Sequence, residues 1–373
     1  MPWKACTTMS ERSELVRRHL DGGEPVAVLA RAYGVSRKTA HKWIARARAG
    51  EDLIEHSRRP HHTPRQTTPA LEAAVLAEKA AHPSWGGRKL HHRLRQRGVN
   101  PVPAPSTIEK ILRRHGWMPQ THAAPPLTRF EAAAPHALWQ LDFKGWHPLR
   151  TGRVHPLTVL DDHSRFLLDV RCLSTQTLAT VQPVLTTLFQ RYGLPWAILC
   201  DHGPPWGTSR LPGLTRFEVW LIQLDIAVLH GRPFHPQTQG KLERLHRTLK
   251  AEVFANHTYP DLAAAQRACD HFRTEYNELR PHEALNYAVP VSRFRQSARA
   301  MPAQLPHPVY PDDAAVRRVS GRGTIRYHGR LFPVSEGLVG QQVGIVPTMQ
   351  DGVLRILFHT HTVRHIDLRD PEL

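Results

Sequence analysis

Between residues 138 and 254 the apolar pattern changes period in a fixed order, and that order restricts the fold more than any other feature of the chain. Three β-leaning runs come first: LWQLDFKGW (138–146), HPLTVLDDHS (155–164) and RFLLDVRCL (165–173). A helical pattern over 177–192 follows, then a short buried strand, WAILCD (196–201). A helix near 214–224 leads to the strand DIAVLHG, and residues 232–254, RPFHPQTQGKLERLHRTLKAEVF, pass from a turn-rich opening into a long helix. On that helix Leu242, Leu245, Leu249 and Val253 recur at three- and four-residue steps, one apolar stripe for a core. Strands and helices in this order specify a mixed sheet covered by helices.

Three acids on these elements stand out. Asp142 lies inside the first strand, between Leu141 and Phe143. Acids are disfavoured in strands and costly to bury unpaired, so this one needs a reason. Asp201 ends the strand WAILCD before the turn HGPPWG, and strand ends of open α/β sheets are where ligands collect. Glu243 lies off the apolar stripe of the long helix, with Arg247 and Lys250 as helical neighbours. It is either a surface ion pair or a metal ligand facing a polyanion. A strand, a strand end and a helix can bring three carboxylates to one sheet edge. Oxygen-only ligands suit Mg²⁺ or Mn²⁺. Two such ions about 3.5–4 Å apart support in-line displacement at phosphorus. Asp161 and Asp162 either assist the metals or form a turn paired with Arg165, the reading preferred here, and Asp169 and Asp225 read as structural. Lys241, Arg244, Arg247 and Lys250 flank Glu243; they are either helix-surface charges or, on a helix beside a phosphoryl-transfer site, contacts to a DNA backbone, the reading preferred here, and Gln237, Thr238 and Gln239 form a polar loop able to reach a strand of it. His235 is expected to be structural in its turn.

The charge balance agrees with a nucleic-acid partner. Fifty Lys and Arg stand against 32 Asp and Glu, a formal net charge of +18, and 23 of those basic residues fall in residues 1–135. Such a chain expects a polyanion. No apolar run approaches the roughly 20 residues that span a bilayer, and no signal peptide is recognised, so a cytoplasmic location is expected, nucleoid-associated when the polyanion bound is DNA. The cysteines Cys6, Cys172, Cys200 and Cys269 lack Cys-x-x-Cys spacing, which argues for a reducing compartment and against a thiolate zinc site.

Before the mixed domain lie two helical regions. In residues 10–50, Pro25 opens the helix VAVLARAY, Gly34-Val35-Ser36 makes a turn with an N-cap, and RKTAHKWIARAR follows. This is a helix-turn-helix pattern with Ala30, Val35 and Ile44 as core. Arg37, Lys38, Thr39, His41 and Lys42 fall near the start of the second helix, where such a unit meets the major groove. A plain helical hairpin with a basic face is the alternative. Residues 51–69 read as a basic linker. Residues 70–118 hold three short helices, broken at Trp85-Gly86-Gly87 and capped again at Ser106, a second helix-turn-helix with Arg88, Lys89, Arg93, Arg95, Arg113 and Arg114 on its basic face. A Pro- and Ala-rich linker, 119–136, leads into the mixed domain, 137–299. From 312 to 373 short alternating strands with Gly turns suggest a small β-barrel, with Arg317, Arg318, Arg322, Arg326 and Arg330 as a cationic surface.

LWQLDFKG, LCDHGPPW and HPQTQGKLERLHRTLKAEV together resemble the three signature blocks of DDE transposases of bacterial insertion sequences, whose core is shared with retroviral integrases. YNELRPHEAL (276–285) resembles the block just downstream, where Tyr276, Asn277, Arg280 and His282 are expected to buttress the core helix. The resemblance covers nearly the whole chain. It implies a multidomain architecture: all-α helix-turn-helix modules, a ribonuclease-H-like α/β core and a small β-barrel. It maps the catalytic, metal-binding triad onto Asp142, Asp201 and Glu243. It implies Mg²⁺-dependent (or Mn²⁺-dependent) cutting of double-stranded DNA at terminal inverted repeats and joining to a target, performed by a homo-oligomer with two ions per site. No membrane or small-molecule substrate is implied. One position departs from the pattern: His202 follows the second Asp where the family has Asn. Two other readings fit some of the residues, a silent DNA-binding regulator of transposase descent and a structure-selective nuclease of the same fold.

Overall fold

The computed structural model describes residues 8–55, 67–117, 131–207, 213–230 and 240–369. Most of both linkers, the loop holding His235 and Gln237–Gln239, and Cys6 lie outside the described residues. The chain divides into two compact units, Met1–Gln66 and Thr67–Leu373.

The first unit is three helices, α1 (Thr8–Leu20), α2 (Val26–Ala32) and α3 (Arg37–Arg48). Gly34 takes φ +64°, the left-handed conformation that lets the chain turn between α2 and α3. Ser36 then caps α3 by accepting from the Thr39 amide at 3.1 Å. Ala30 and Ile44 are buried as expected, with Val35 packed against them, and α1 adds Leu15 and Val16. That first helix was not anticipated, although its residues supply part of the core.

The second unit begins with α4 (Pro69–Ala81), α5 (Gly87–Gln96) and α6 (Pro105–Arg114) around Val75, Trp85, Leu90, Leu94 and Ile108. A Cβ on Gly87 would lie 2.7 Å from the Pro105 carbonyl oxygen, so the glycine permits the close α5–α6 approach. Ser106 does not cap α6: the helix starts at Pro105, whose fixed φ suits a first helical position, and Ala104 is the capping residue.

A mixed sheet comes next. It contains β1 (Trp139–Phe143), β2 (His147–Pro148), β3 (Arg153–Asp161), β4 (Leu167–Leu173), β5 (Ala197–Cys200) and β6 (Ala227–His230). β3 pairs antiparallel with β4 and with β1; β5 runs parallel to β1, and β6 parallel to β5. Helix α7 (Leu178–Tyr192) joins β4 to β5, and α8 (Arg216–Gln223) lies between β5 and β6. Both pack into one core with Trp139, Leu141 and Ile198. The helix α9 (Gly240–Leu249), its π-helical continuation Lys250–Phe254 and α10 (Leu262–Glu278) pack into the other, around Leu160, Val170 and Cys172. This is the ribonuclease-H-like arrangement.

The tail holds β7 (Ala315–Arg318), β8 (Thr324–Tyr327), β9 (Arg330–Pro333), β10 (Gln342–Pro347), β11 (Val353–Phe358) and β12 (His361–Asp367). The expected barrel is not what the pairings describe: among the described residues they form an open four-stranded sheet, β12-β11-β10-β7, and a separate β8-β9 hairpin. The reason lies in the core. Val219, Leu214 and Ile222, on and just before α8, pack into the apolar interior of the tail, so a helix covers what closure would otherwise bury.

Candidate active site

Asp142 is the fourth residue of β1 and faces Thr158 of β3 across the ladder. The Thr158 hydroxyl donates to the Asp142 carbonyl at 3.0 Å. Its one proton is thereby used, so the contact with His246 Nε2 at 2.8 Å has the imidazole as donor. Burial pushes His246 down to about 4, and the ring is neutral at pH 7. Its Nδ1 then carries a lone pair, 3.7 Å from Asp142 Oδ2, which is neither a salt bridge nor a hydrogen bond. His246 therefore fixes the strand that carries Asp142 without neutralising the acid.

Asp201 follows β5, the parallel neighbour of β1. The Gly203 amide donates to its Oδ1 at 3.0 Å, and His230 Nδ1 donates to its carbonyl oxygen at 3.0 Å. His230 Nε2 meets Glu218 of α8 at 3.0 Å, so α8 supports the strand end through one ring. His202 stacks on that ring, centroids 4.6 Å apart and planes 19° from parallel. The residue that departs from the family pattern thus has a specific partner.

Glu243 is exposed in the first turn of α9, while Leu242, Leu245, Leu249 and Val253 are all buried, as the stripe requires. Asp142 responds to the other two acids. Asp142 is pushed up to about 6, first by burial and then by the charge of Asp201, with Glu243 adding to the rise; the Phe143 backbone amide and Lys144 oppose it. Burial, then Asp201, Glu218 and Asp142, also raises the Cys200 thiol. Among the described residues no three His, Cys, Asp or Glu side chains are gathered as a ready chelating cluster. Even so, a buried carboxyl raised further by two other acids belongs to an oxygen donor set with an excess of negative charge, which fits Mg²⁺ or Mn²⁺.

The integrase core domain family matches residues 132–236 and, in a second description, 224–290. The helix-turn-helix domain family matches 11–61, the homeodomain-like domain family 39–112, and the C-terminal domain of IS481 family transposases 314–372. The chain belongs with the insertion-sequence transposases that carry an integrase core. One similar protein is the insertion element IS476 uncharacterized 39.2 kDa protein of Xanthomonas euvesicatoria, 24% identical over 302 residues, which are 78% of this chain and 83% of that protein. Another, the insertion element IS407 uncharacterized 31.7 kDa protein of Burkholderia multivorans, is 30% identical over 168 residues, 45% of this chain and 58% of the other. Among solved structures, the HTLV-2 integrase catalytic core domain in complex with magnesium aligns with a TM-score of 0.34 at 15% identity, over 44% of this chain and 99% of that one.

The expected DNA-facing residues of this transposase are in varied settings. Arg37, Lys38 and His41 are exposed at the start of α3. Thr39 is half-buried and bonded to the Ser36 hydroxyl at 2.9 Å, and Lys42 pairs with Glu55 at 3.2 Å. Arg244, Arg247 and Lys250 are exposed on α9. Arg88 pairs with Glu283 at 3.1 Å. Two residues depart from expectation. Lys89 is drawn inward, where burial and then Arg280 push it down to about 7. Lys241 bonds the carboxylate of Asp162, which is fully buried and also accepts from the Ala132 amide at 2.7 Å and Gln140 Nε2 at 2.6 Å. A carboxylate with no access to water needs a cation, and Lys241 is the cation it has. Arg165, expected to pair with Asp161 or Asp162, instead bonds the Asp162 carbonyl and the Glu131 carboxylate. Asp169, buried, pairs with Arg171 at 2.9 Å, and Asp225, exposed, with Arg299 at 3.3 Å. His246, Thr158, His230 and Glu218 were not anticipated; a lone His on a helix carries no signal of its contacts. No helix among the described residues is long and apolar enough to cross a membrane.

Proposed function

We propose that this transposase binds the terminal inverted repeats of an insertion sequence as a homo-oligomer, and cuts and joins double-stranded DNA with Asp142, Asp201 and Glu243. The observation that carries the reading is that Asp142, buried and raised by that burial, is raised further by two acids far away in sequence, Asp201 and then Glu243. Those three carboxylates would hold the divalent ions, two per site. Bound there, Mg²⁺ or Mn²⁺ supplies activation of the attacking oxygen and stabilisation of the leaving oxygen at phosphorus. The protein's own part is placement. Thr158 and His246 fix the backbone of β1, and His230 with Glu218 fixes the end of β5, so two ligands sit on held strands. Arg244, Arg247 and Lys250, exposed on the Glu243 helix, meet the phosphates on either side of the scissile bond. Arg37, Lys38 and His41 read the repeat from α3. Joining two ends to one target requires at least two active sites, hence the homo-oligomer.

The test uses the full chain, labelled element-end DNA and Mg²⁺. Wild type nicks the end and transfers the 3′-hydroxyl to a target, and Asp142→Asn binds the end but does neither. Sequence-specific binding without any transfer by the wild type would make the chain a silent regulator. Cutting of branched DNA irrespective of end sequence would make it a nuclease.

A further inference from the structure

The downstream block, 276–285, and the residues next to it, from 275 to 287, face a definite partner within the second unit. The turn between α4 and α5 lays His82, Ser84 and Trp85 against it. Ser84 Oγ donates to Glu252 Oε1, and Arg280 Nη1 donates to both oxygens of the same carboxylate, at 2.7 and 2.8 Å. His82 Nδ1 meets Glu275 at 2.8 Å, and its ring stacks on the fully buried Trp85, centroids 3.9 Å apart. Further along, His92 of α5 stacks on Tyr287 at 4.2 Å, the planes 7° from parallel. Within this group Glu252 belongs to the π-helical continuation of α9, the helix that carries Glu243. A π-helical turn is rare, and it rotates the succeeding residues relative to an α-helix, a device common at functional sites.

We propose that Glu252 is a positioning residue: with Ser84 and Arg280 it clamps the second helix-turn-helix module onto the Glu243 helix, and so determines which phosphodiester of the bound end meets the carboxylates. The proposal rests on the DNA-cutting function proposed for the chain. Its physical basis is short and local. A module joined to the core by chain connection alone would present DNA over a range of positions. Two hydrogen-bonded carboxylates and a stacked ring hold it to one. A misplacement of about 1 Å at a phosphoryl-transfer site already costs about a hundredfold in rate. Glu252 touches neither DNA nor the reacting atoms in this scheme, so its removal leaves recognition of the repeat intact and disturbs the choice of bond.

The experiment compares full-length wild type with Glu252→Gln and with the charge swap E252R/R280E, using end-labelled element DNA in Mg²⁺ and sequencing-gel resolution. Wild type cuts at one position. Glu252→Gln binds with an affinity within about twofold, yet cuts about tenfold more slowly or at several neighbouring positions. The swap restores a single position, which a merely destabilised fold would not do. Hydrogen exchange of residues 82–92 is measured in parallel and rises about tenfold in Glu252→Gln. Should Glu252→Gln fail to fold, Ser84→Ala, which leaves the Glu252–Arg280 pair in place, is expected to raise that exchange about threefold. Cutting at the wild-type position and rate, or exchange unchanged in whichever variant folds, overturns the clamp. A wild type that cuts nothing defeats the DNA-cutting function instead, and exchange alone then decides whether the module is clamped.

Discussion

Asp142 was legible because a strand is a poor place for an acid, and its neighbours Leu141 and Phe143 left no local explanation for it. What could not be read was how it is held. Thr158 is an ordinary strand residue, and His246 lies 88 positions away on another element, so only the fold connects them. The elevated Asp142 has a thermodynamic consequence. A carboxyl whose folded value, about 6, exceeds its ordinary 3.8 is disfavoured as an anion in the native state. Metal-free protein at pH 7 therefore carries a penalty there, which disappears as the pH falls below about 4. Asp142→Asn should raise the thermal midpoint of the metal-free protein at pH 7, with no gain near pH 4, and scanning calorimetry at the two values checks it. His246→Ala leaves Thr158 without its second partner and opens a cavity. A loss of about 2 kcal/mol is expected in urea denaturation.

At the level of elements, α9 separates what periodicity reveals from what it hides. The leucine stripe predicted the buried face residue by residue, because burial follows the helical repeat. The four cations around Glu243 looked equivalent in sequence. They are not: Lys241 serves a buried carboxylate, whereas Arg244, Arg247 and Lys250 face outward. No helical wheel could show this, since Asp162 arrives from the end of β3. Two substitutions separate the roles. Lys241→Met strands Asp162 and should cost about 3 kcal/mol in urea denaturation. Arg247→Met should leave stability within about 0.5 kcal/mol and lower DNA affinity, with the slope of log K against log salt reduced by about 1. The tail makes a related point. Alternation marked the tail as β-rich, but pairing partners and sheet closure depend on what else the apolar face can find, and α8 was there to cover it.

For the whole molecule, the order of helical modules, mixed core and β-rich tail was legible from changes of period and composition. The attachment of the second module to residues 275–287 was not, because its contacts join residues almost 200 positions apart. The division into two compact units carries a prediction of its own. A chain truncated to residues 67–373 should melt cooperatively within a few degrees of the full chain and bind element ends more weakly, as calorimetry and gel-shift titration would record. The central claim is that Asp142, Asp201 and Glu243 act together on divalent ions beside DNA. Crystals of the full chain with element-end DNA and Mn²⁺, measured at the manganese edge, test it most directly. Two anomalous peaks about 4 Å apart, bounded by those three carboxylates, are the expected result. Manganese bound elsewhere, or three carboxylates still apart with DNA in place, would contradict it.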